Sequence, residues 1–350
     1  MKFDVDYFKQ VLADVLAIDS PTGFCGAAVA HIKDIVGGLG YDSYITNKGN
    51  LVVDVKGASD KTVGISAHID TLGLVVRAVK DDGTLSIITV GGVILPTLDG
   101  EYCKVYTRDG LVYTGTVLSN SPAGHVFDDA HSAKRDEKNM HIRLDIVSED
   151  GKTYPDGDYI KSLGIMAGDF VCYDPKTVVY DNGFIKSRFL DDKAGVAIIL
   201  AMLKHFKDAN ITPVHNICVV FSTYEEIGHG LSHLPNADKI DEFVAVDMGC
   251  IGDDLGGSEF AVSICGADSS GPYDYDLTTR LINLAKAAEL NFAVDIYPYY
   301  GSDVSAARRA GHDIKGGLIG PGIAASHGME RTHISSCENA YKLLYLYLTQ

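Results

Sequence analysis

The chain has 350 residues, 46% of them hydrophobic and 22% charged, with a formal net charge of −17. That composition is globular, and the length suffices for a sizeable core split over two domains or one domain with an insertion. The acidic balance argues against nucleic acid as a partner, and no uncharged apolar run approaches the roughly 18 residues of a membrane span.

The seven cysteines, at 25, 103, 172, 218, 250, 265 and 337, are dispersed and form no CxxC pair. The start, from Met1 to Asp6, alternates charge and carries no apolar leader. Both features point to a reducing, cytoplasmic location.

Phe8, Leu12, Val15 and Leu16 recur at helical spacing, which predicts an amphipathic helix over 3–18. A second helix is expected over 25–37, ending at Gly37-Gly38. Residues 51–55 and 63–67 read as strands, the second running into His68-Ile-Asp70. From 72 to 171 the texture changes. Five strand-like runs (71–79, 84–90, 102–107, 111–118 and 140–147) alternate with Asp82-Gly, Asp109-Gly and Asp150-Gly turns, and no amphipathic helix interrupts them. This predicts a β domain over 72–171, inserted between two parts, 1–71 and 172–350, of one α/β domain. The charged segment 123–139 reads as a long exposed loop.

After 180 the α/β rhythm returns. Leu190-Asp191-Asp192-Lys-Ala-Gly195 opens an apolar helix, where carboxylates suit the first turn. The run 216–222 is short, β-branched and nearly uncharged, so it predicts a buried strand leading to Glu225-Glu226. The strand 242–246 ends in Asp247. Helices are expected over 277–290, 304–310 and 336–349, with a strand at 294–297 and a Gly-rich run, 316–320, leading to His327.

Five segments thus place imidazole or carboxylate where an open α/β sheet presents its ligands. Imidazole plus carboxylate without thiolate suits Zn, Co or Mn, and this many carboxylates fits a two-metal site. In His68-x-Asp70 the two residues face the same side of a strand, so Asp70 is placed to take the second ring N–H of His68. Glu225 and Glu226 are adjacent, so their side chains diverge. One can hold metal while the other acts as general base on a water held there. That logic belongs to hydrolases of amide or ester bonds. His229-Gly-Leu-Ser-His233 has zinc-helix spacing but lacks the intervening Glu, and it reads as a loop beside the site.

His68-Ile-Asp70, Leu190-Asp191-Asp192-Lys-Ala-Gly195, Glu225-Glu226-Ile-Gly228, Val246-Asp247-Met-Gly249, Tyr300-Gly301-Ser302-Asp303 and Ser326-His327 resemble, in order, the motifs of the M42 metallo-aminopeptidases. The resemblance covers essentially the whole chain. It implies a mixed sheet sandwiched by helices, the phosphorylase/hydrolase-like core of zinc peptidases, carrying a PDZ-like dimerisation insert. It implies two divalent metal ions per subunit, zinc or cobalt foremost and manganese also accepted. His68 and Asp247 would hold one, Glu226 and His327 the other, and Asp191 would bridge. Glu225 would be the general base and Asp70 would orient His68. The Asp191–Asp192 peptide would be cis. Peptides would be the substrates, and homo-oligomers up to a tetrahedral dodecamer would follow.

Two departures stand out. No Arg closely precedes His327, and His333, which follows Arg331 nearby, is the alternative last ligand. Thr22-Gly23-Phe24-Cys25 stands where relatives carry Ser-Gly-x-Glu. An N-deacylase or related amidohydrolase on the same metals is the competing activity. A glycosidase is disfavoured, because it needs two carboxyl groups flanking one bond and these two diverge.

Overall fold

A computed structural model describes residues 2–350. The elements in chain order are α1 (Val5–Leu16), α2 (Gly26–Gly38), β1 (Ser43–Ile45), β2 (Leu51–Val55), β3 (Thr62–His68), β4 (Gly73–Val79), β5 (Leu85–Val90), β6 (Tyr102–Tyr106), β7 (Val112–Ser119), β8 (Met140–Leu144), α3 (Gly157–Ser162) and β9 (Phe170–Tyr173). Then follow β10 (Val178–Val179), β11 (Phe184–Ser187), α4 (Leu190–Asp208), β12 (Asn216–Ser222), β13 (Ile240–Val246), β14 (Gly249–Cys250), β15 (Val262–Asp268), β16 (Gly271–Pro272), α5 (Tyr275–Ala287), β17 (Phe292–Ile296), α6 (Asp303–Arg309), β18 (Lys315–Ile323), β19 (Glu330–His333) and α7 (Ile334–Thr349).

The chain forms two compact units, one from residues up to Thr71 together with Pro175–Gln350, the other from Leu72–Asp174. In the larger unit a ten-stranded mixed sheet runs β1-β2-β12-β3-β13-β18-β15-β16, with β14 beside β18 and β17 beside β15. The period of two sorts its side chains into layers. In β12, Ile217, Val219 and Phe221 join one core with α1, α2, α4, α5 and α7, while Cys218 and Val220 join another with Val304 and Ala307 of α6. Helices therefore cover both faces, as the near-uninterrupted apolar text of β12 requires.

The four central strands set the chemistry. β12, β3, β13 and β18 run parallel, with Ser222 opposite His68, Ala245 opposite Ser66 and Val246 opposite Ile319. Parallel register brings the carboxyl ends of adjacent strands to one edge, and the residues just beyond them converge there.

The smaller unit is a closed antiparallel barrel, β4-β5-β8-β7-β6-β9. Gly83, Gly110 and Gly151, the second residues of the three expected turns, all take positive φ (78°, 81° and 69°). One short α-helix does interrupt the strands, α3, capped by the Asp156 side chain on Tyr159 N, besides a 3-10 turn over Leu95–Leu98. Among the described residues all seven cysteines are free, and no helix is long and apolar enough to cross a membrane.

Two long strands of the large sheet, β15 and β18, were not anticipated as strands. β18 reads Lys-Gly-Gly-Leu-Ile-Gly-Pro-Gly-Ile, text that disfavours a strand by propensity. Packing explains it. A Cβ on Gly320 would collide with the Asp247 backbone, and one on Gly316 with Val304. The glycines admit neighbours that a side chain would exclude. Gly320→Ala is therefore expected to destabilise the protein by about 1–3 kcal/mol, the usual range for overpacking. The denaturant midpoint measures it, and an unchanged midpoint would refute the close approach.

Candidate metal centre

At the carboxyl edge of the sheet His68 ends β3. Its Nε2 lies 2.9 Å from Asp191 Oδ1, and its Nδ1 lies 2.8 Å from the backbone carbonyl of Asp70. Asp191 stands at the start of α4, where Asp191 and Asp192 have non-helical backbone angles and the peptide between them is cis. The second oxygen of Asp191, Oδ2, faces His327 Nε2 at 3.5 Å. Glu225 Oε2 approaches His68 Nε2 at 3.8 Å, and Glu226 Oε2 approaches His327 Nε2 at 3.7 Å. The two neighbouring glutamates thus point to different histidines. His68, Asp192 and Asp247 form one potential cation group and His68, Asp191 and Glu226 another, with ligand atoms in each within 4.8 Å of one another.

Burial makes this cluster unstable as bare charge. Asp70, Asp191, Asp192, Asp247 and Glu330 are all buried, as is His68. Burial first, then the Asp191 charge, pushes Asp247 up to about 7 and Glu330 up to about 8. Burial likewise raises Asp192, Glu225 and Glu226. Asp191 goes the other way: burial raises it, but the hydrogen bonds from His327 and His68 prevail and hold it below the usual carboxylate range. For His68, burial favours the neutral ring, but the Asp191 hydrogen bond and the charges of Glu225 and Asp247 raise its pKa. A divalent cation is the partner that would satisfy carboxylates packed this closely. The donor set is imidazole and carboxylate. The Cys250 thiol is pushed up to about 12 by burial and then by Asp191, so it stays protonated and does not compete.

Of the two candidate histidines, His327 lies at the cluster. His333 lies outside it: its Nε2 is 2.9 Å from Asn182 O, and its ring packs on Phe184 and Phe260. His229 is exposed, and its carbonyl accepts from Lys48 Nζ. The Asp70 carboxylate does not take the His68 ring N–H as the strand pattern implies, since Oδ1 is 3.9 Å from Nδ1. It accepts instead from the backbone amides of Glu225 (3.1 Å) and Glu226 (3.3 Å).

Sequence reasoning missed two acids with the same habit. Asp192 accepts from His68 N (3.1 Å) and Gly195 N (3.2 Å). Glu330 accepts from Asp191 N (3.1 Å) and His327 N (3.0 Å). Asp192 was visible only as a first-turn carboxylate and as part of the Asp191-Asp192 motif, with no role of its own. Glu330 lies in the same stretch as His327, which is the one signal that could have drawn attention to it.

An α/β sheet that gathers two histidines and several buried carboxylates at the ends of its parallel strands defines the class of metal-dependent hydrolases. The family model of the M42 glutamyl aminopeptidases matches residues 49–343. YhfE of Bacillus subtilis (strain 168) is 41% identical over 97% of this chain and 96% of its own length. The glutamyl aminopeptidase of Lactococcus lactis is 25% identical over 72% of this chain and 69% of its own. Among solved structures, a TET aminopeptidase from a marine sediment archaeon superposes with a TM-score of 0.86 at 18% identity, covering 99% of this chain and 97% of that one. The Pyrococcus horikoshii TET1 peptidase, which can assemble into a tetrahedron or a large octahedral shell, gives 0.84 at 20% identity over 98% and 99%. The chain belongs to the M42 glutamyl aminopeptidase family and is a metallo-aminopeptidase.

The raised carboxyl pKa values fix a pH signature for the metal-free protein. A raised value means the folded state binds more protons than the unfolded chain above the ordinary carboxyl range, about pH 4. That stability is present in acid and lost as pH rises through about 7 for Asp247 and about 8 for Glu330. The raised His68 pKa acts with the same sign. Chelator-treated protein should therefore melt at falling temperature between about pH 5 and about pH 9, while the metal-loaded protein resists the decline, because cation binding displaces protons and tightens with pH. Parallel melting curves with and without chelator would contradict a cation site here.

Proposed function

We propose that the protein removes N-terminal residues from peptides at a two-cation centre, with Glu225 as the proton carrier. The observation that carries this reading is the disposition of Asp191, whose two oxygens face two different histidines at 2.9 and 3.5 Å. A carboxylate so placed would serve as a ligand shared by two cations. His68 and Asp247 would hold one cation, and Glu226 and His327 the other. The donors suit Zn or Co, with Mn also accommodated.

When bound, such cations supply Lewis-acid polarisation of the scissile carbonyl and lower the pKa of water. The rest falls to the chain. Glu225 is the more accessible of the adjacent pair, its side chain 12% exposed against 4% for Glu226. That difference supports Glu225 meeting substrate and Glu226 staying with the centre. Glu225 takes a proton from the attacking water and returns it to the leaving amine nitrogen. Burial favours its protonated form, which suits the second half of that transfer.

The barrel unit we propose as a self-association surface. It exposes Tyr102, Val112 and Val126, and the TET1 neighbour named above can assemble into a tetrahedron or a large octahedral shell. Dimers, and a tetrahedral dodecamer built from them, are the proposed assembly.

Glu225→Gln keeps the shape but cannot carry the proton. It should lower kcat by at least about 100-fold, the typical worth of general acid–base catalysis, while metal content stays unchanged. The assay uses aminoacyl and N-acetyl-aminoacyl chromogenic substrates with added Zn, Co or Mn. Turnover of free-amine substrates alone is expected. Preferential turnover of the blocked substrates would make it a deacylase instead.

A further inference from the structure

The Asp70 carboxylate holds the turn that carries both glutamates, and a second side chain holds Asp70. Thr22 Oγ1 donates to Asp70 Oδ2 at 2.6 Å, and both residues are buried. We infer that Thr22 is a positioning residue for Glu225, acting through Asp70; the inference rests on the role of Glu225 proposed above.

The turn needs holding. Glu225–Ile227 is one 3-10 turn, bounded by Tyr224 (φ 65°) and Gly228 (φ 77°), both left-handed. A single such turn has little stability of its own. Its first two amides are the ones that Asp70 accepts, Glu225 N on Oδ1 and Glu226 N on Oδ2. The carboxylate is free to do this because the backbone carbonyl of Asp70, not its side chain, takes the His68 ring. Two amide bonds alone leave the Asp70 plane able to tilt. The Thr22 hydroxyl is the third contact on the carboxylate, and it holds the plane against that tilt.

Thr22 is itself immobilised by bonds that do not involve its side chain. Thr22 N donates to Thr71 O (3.1 Å), Thr71 N to Ser20 O (2.9 Å), and Ser20 Oγ to Ile69 O (3.0 Å). Residues 20–22 are thus laced to 69–71, and Pro21 bridges Thr71 in parallel register. Substitution of the Thr22 side chain leaves that lacing in place. Catalytic geometry is sensitive to shifts of about 1 Å, so a loosened turn should cost rate more than binding.

Holoenzyme carrying Thr22→Val, isosteric but without the hydroxyl, and Thr22→Ser, which restores it, tests this. On a free-amine aminoacyl substrate, Thr22→Val should lower kcat about 10- to 100-fold with KM within about twofold, and Thr22→Ser should recover most of the loss. Metal content should match the parent. Hydrogen exchange of the peptide covering 223–230 should quicken in the Val variant and return in the Ser variant. A Val variant within about twofold of the parent, a Ser variant as slow as Val, or a loss that tracks metal loss would overturn the inference. Glu225→Gln, run alongside, separates the two claims. If it is active, the role of Glu225 falls and Thr22 with it; if it is inert while Thr22→Val is normal, only the Thr22 link falls.

Discussion

The structure depends on keeping a set of carboxylates out of water at one edge of a sheet. An isolated buried carboxylate is costly, and the chain meets that cost with backbone amides. Three acids follow one plan. Asp70 takes the amides of Glu225 and Glu226, Asp192 those of His68 and Gly195, and Glu330 those of Asp191 and His327. Each amide pair includes at least one residue whose side chain turns into the cluster. The anchoring acids therefore hold the backbone of the inner residues, and the inner residues hold their side chains toward one another.

This arrangement also explains why the elements come together. His68 belongs to β3, Glu225 and Glu226 follow β12, Asp191 opens α4, and His327 follows β18. Parallel register alone aligns the ends of β12, β3, β13 and β18. It does not orient the loops beyond them. The anchoring acids do, and Asp303 extends the network by accepting from Ser222 Oγ (2.6 Å) at the end of β12. Strand packing sets the distance between segments, and charge-assisted hydrogen bonds set the angle of each loop.

Much of this was legible because apolar runs ending in His or acid are a local signal. β3 and β12 announce themselves as short, nearly uncharged runs, His68 ends its strand, and Glu225 and Asp247 stand just beyond theirs. What stayed hidden is non-local. β18 has glycines at 316, 317, 320 and 322 because α6, α5 and the backbones of Asp247 and Ser258 approach it, and nothing in the run itself says so. The period of two correctly places Asp70 on the side of His68. It cannot say that the carbonyl, not the carboxylate, meets the ring. Glu330 follows His327 by three positions and ends no apolar run of its own. Its function is set by amides of two separate segments, a pairing that spacing does not encode.

The adjacency of Glu225 and Glu226 follows from the same economy. In an extended strand their side chains would point to opposite faces, and one would leave the cluster. The 3-10 turn, entered through left-handed Tyr224, keeps both at the site but aims them apart, toward His68 and His327. A residue that stays with a cation and a residue that must move a proton need different freedom. In the roles proposed for them, the less exposed Glu226 and the more open Glu225 would supply it from consecutive positions, and one carboxylate, Asp70, holds both backbones. Under the roles proposed for them, the ligand and the base take their backbone positions from one anchor, Asp70.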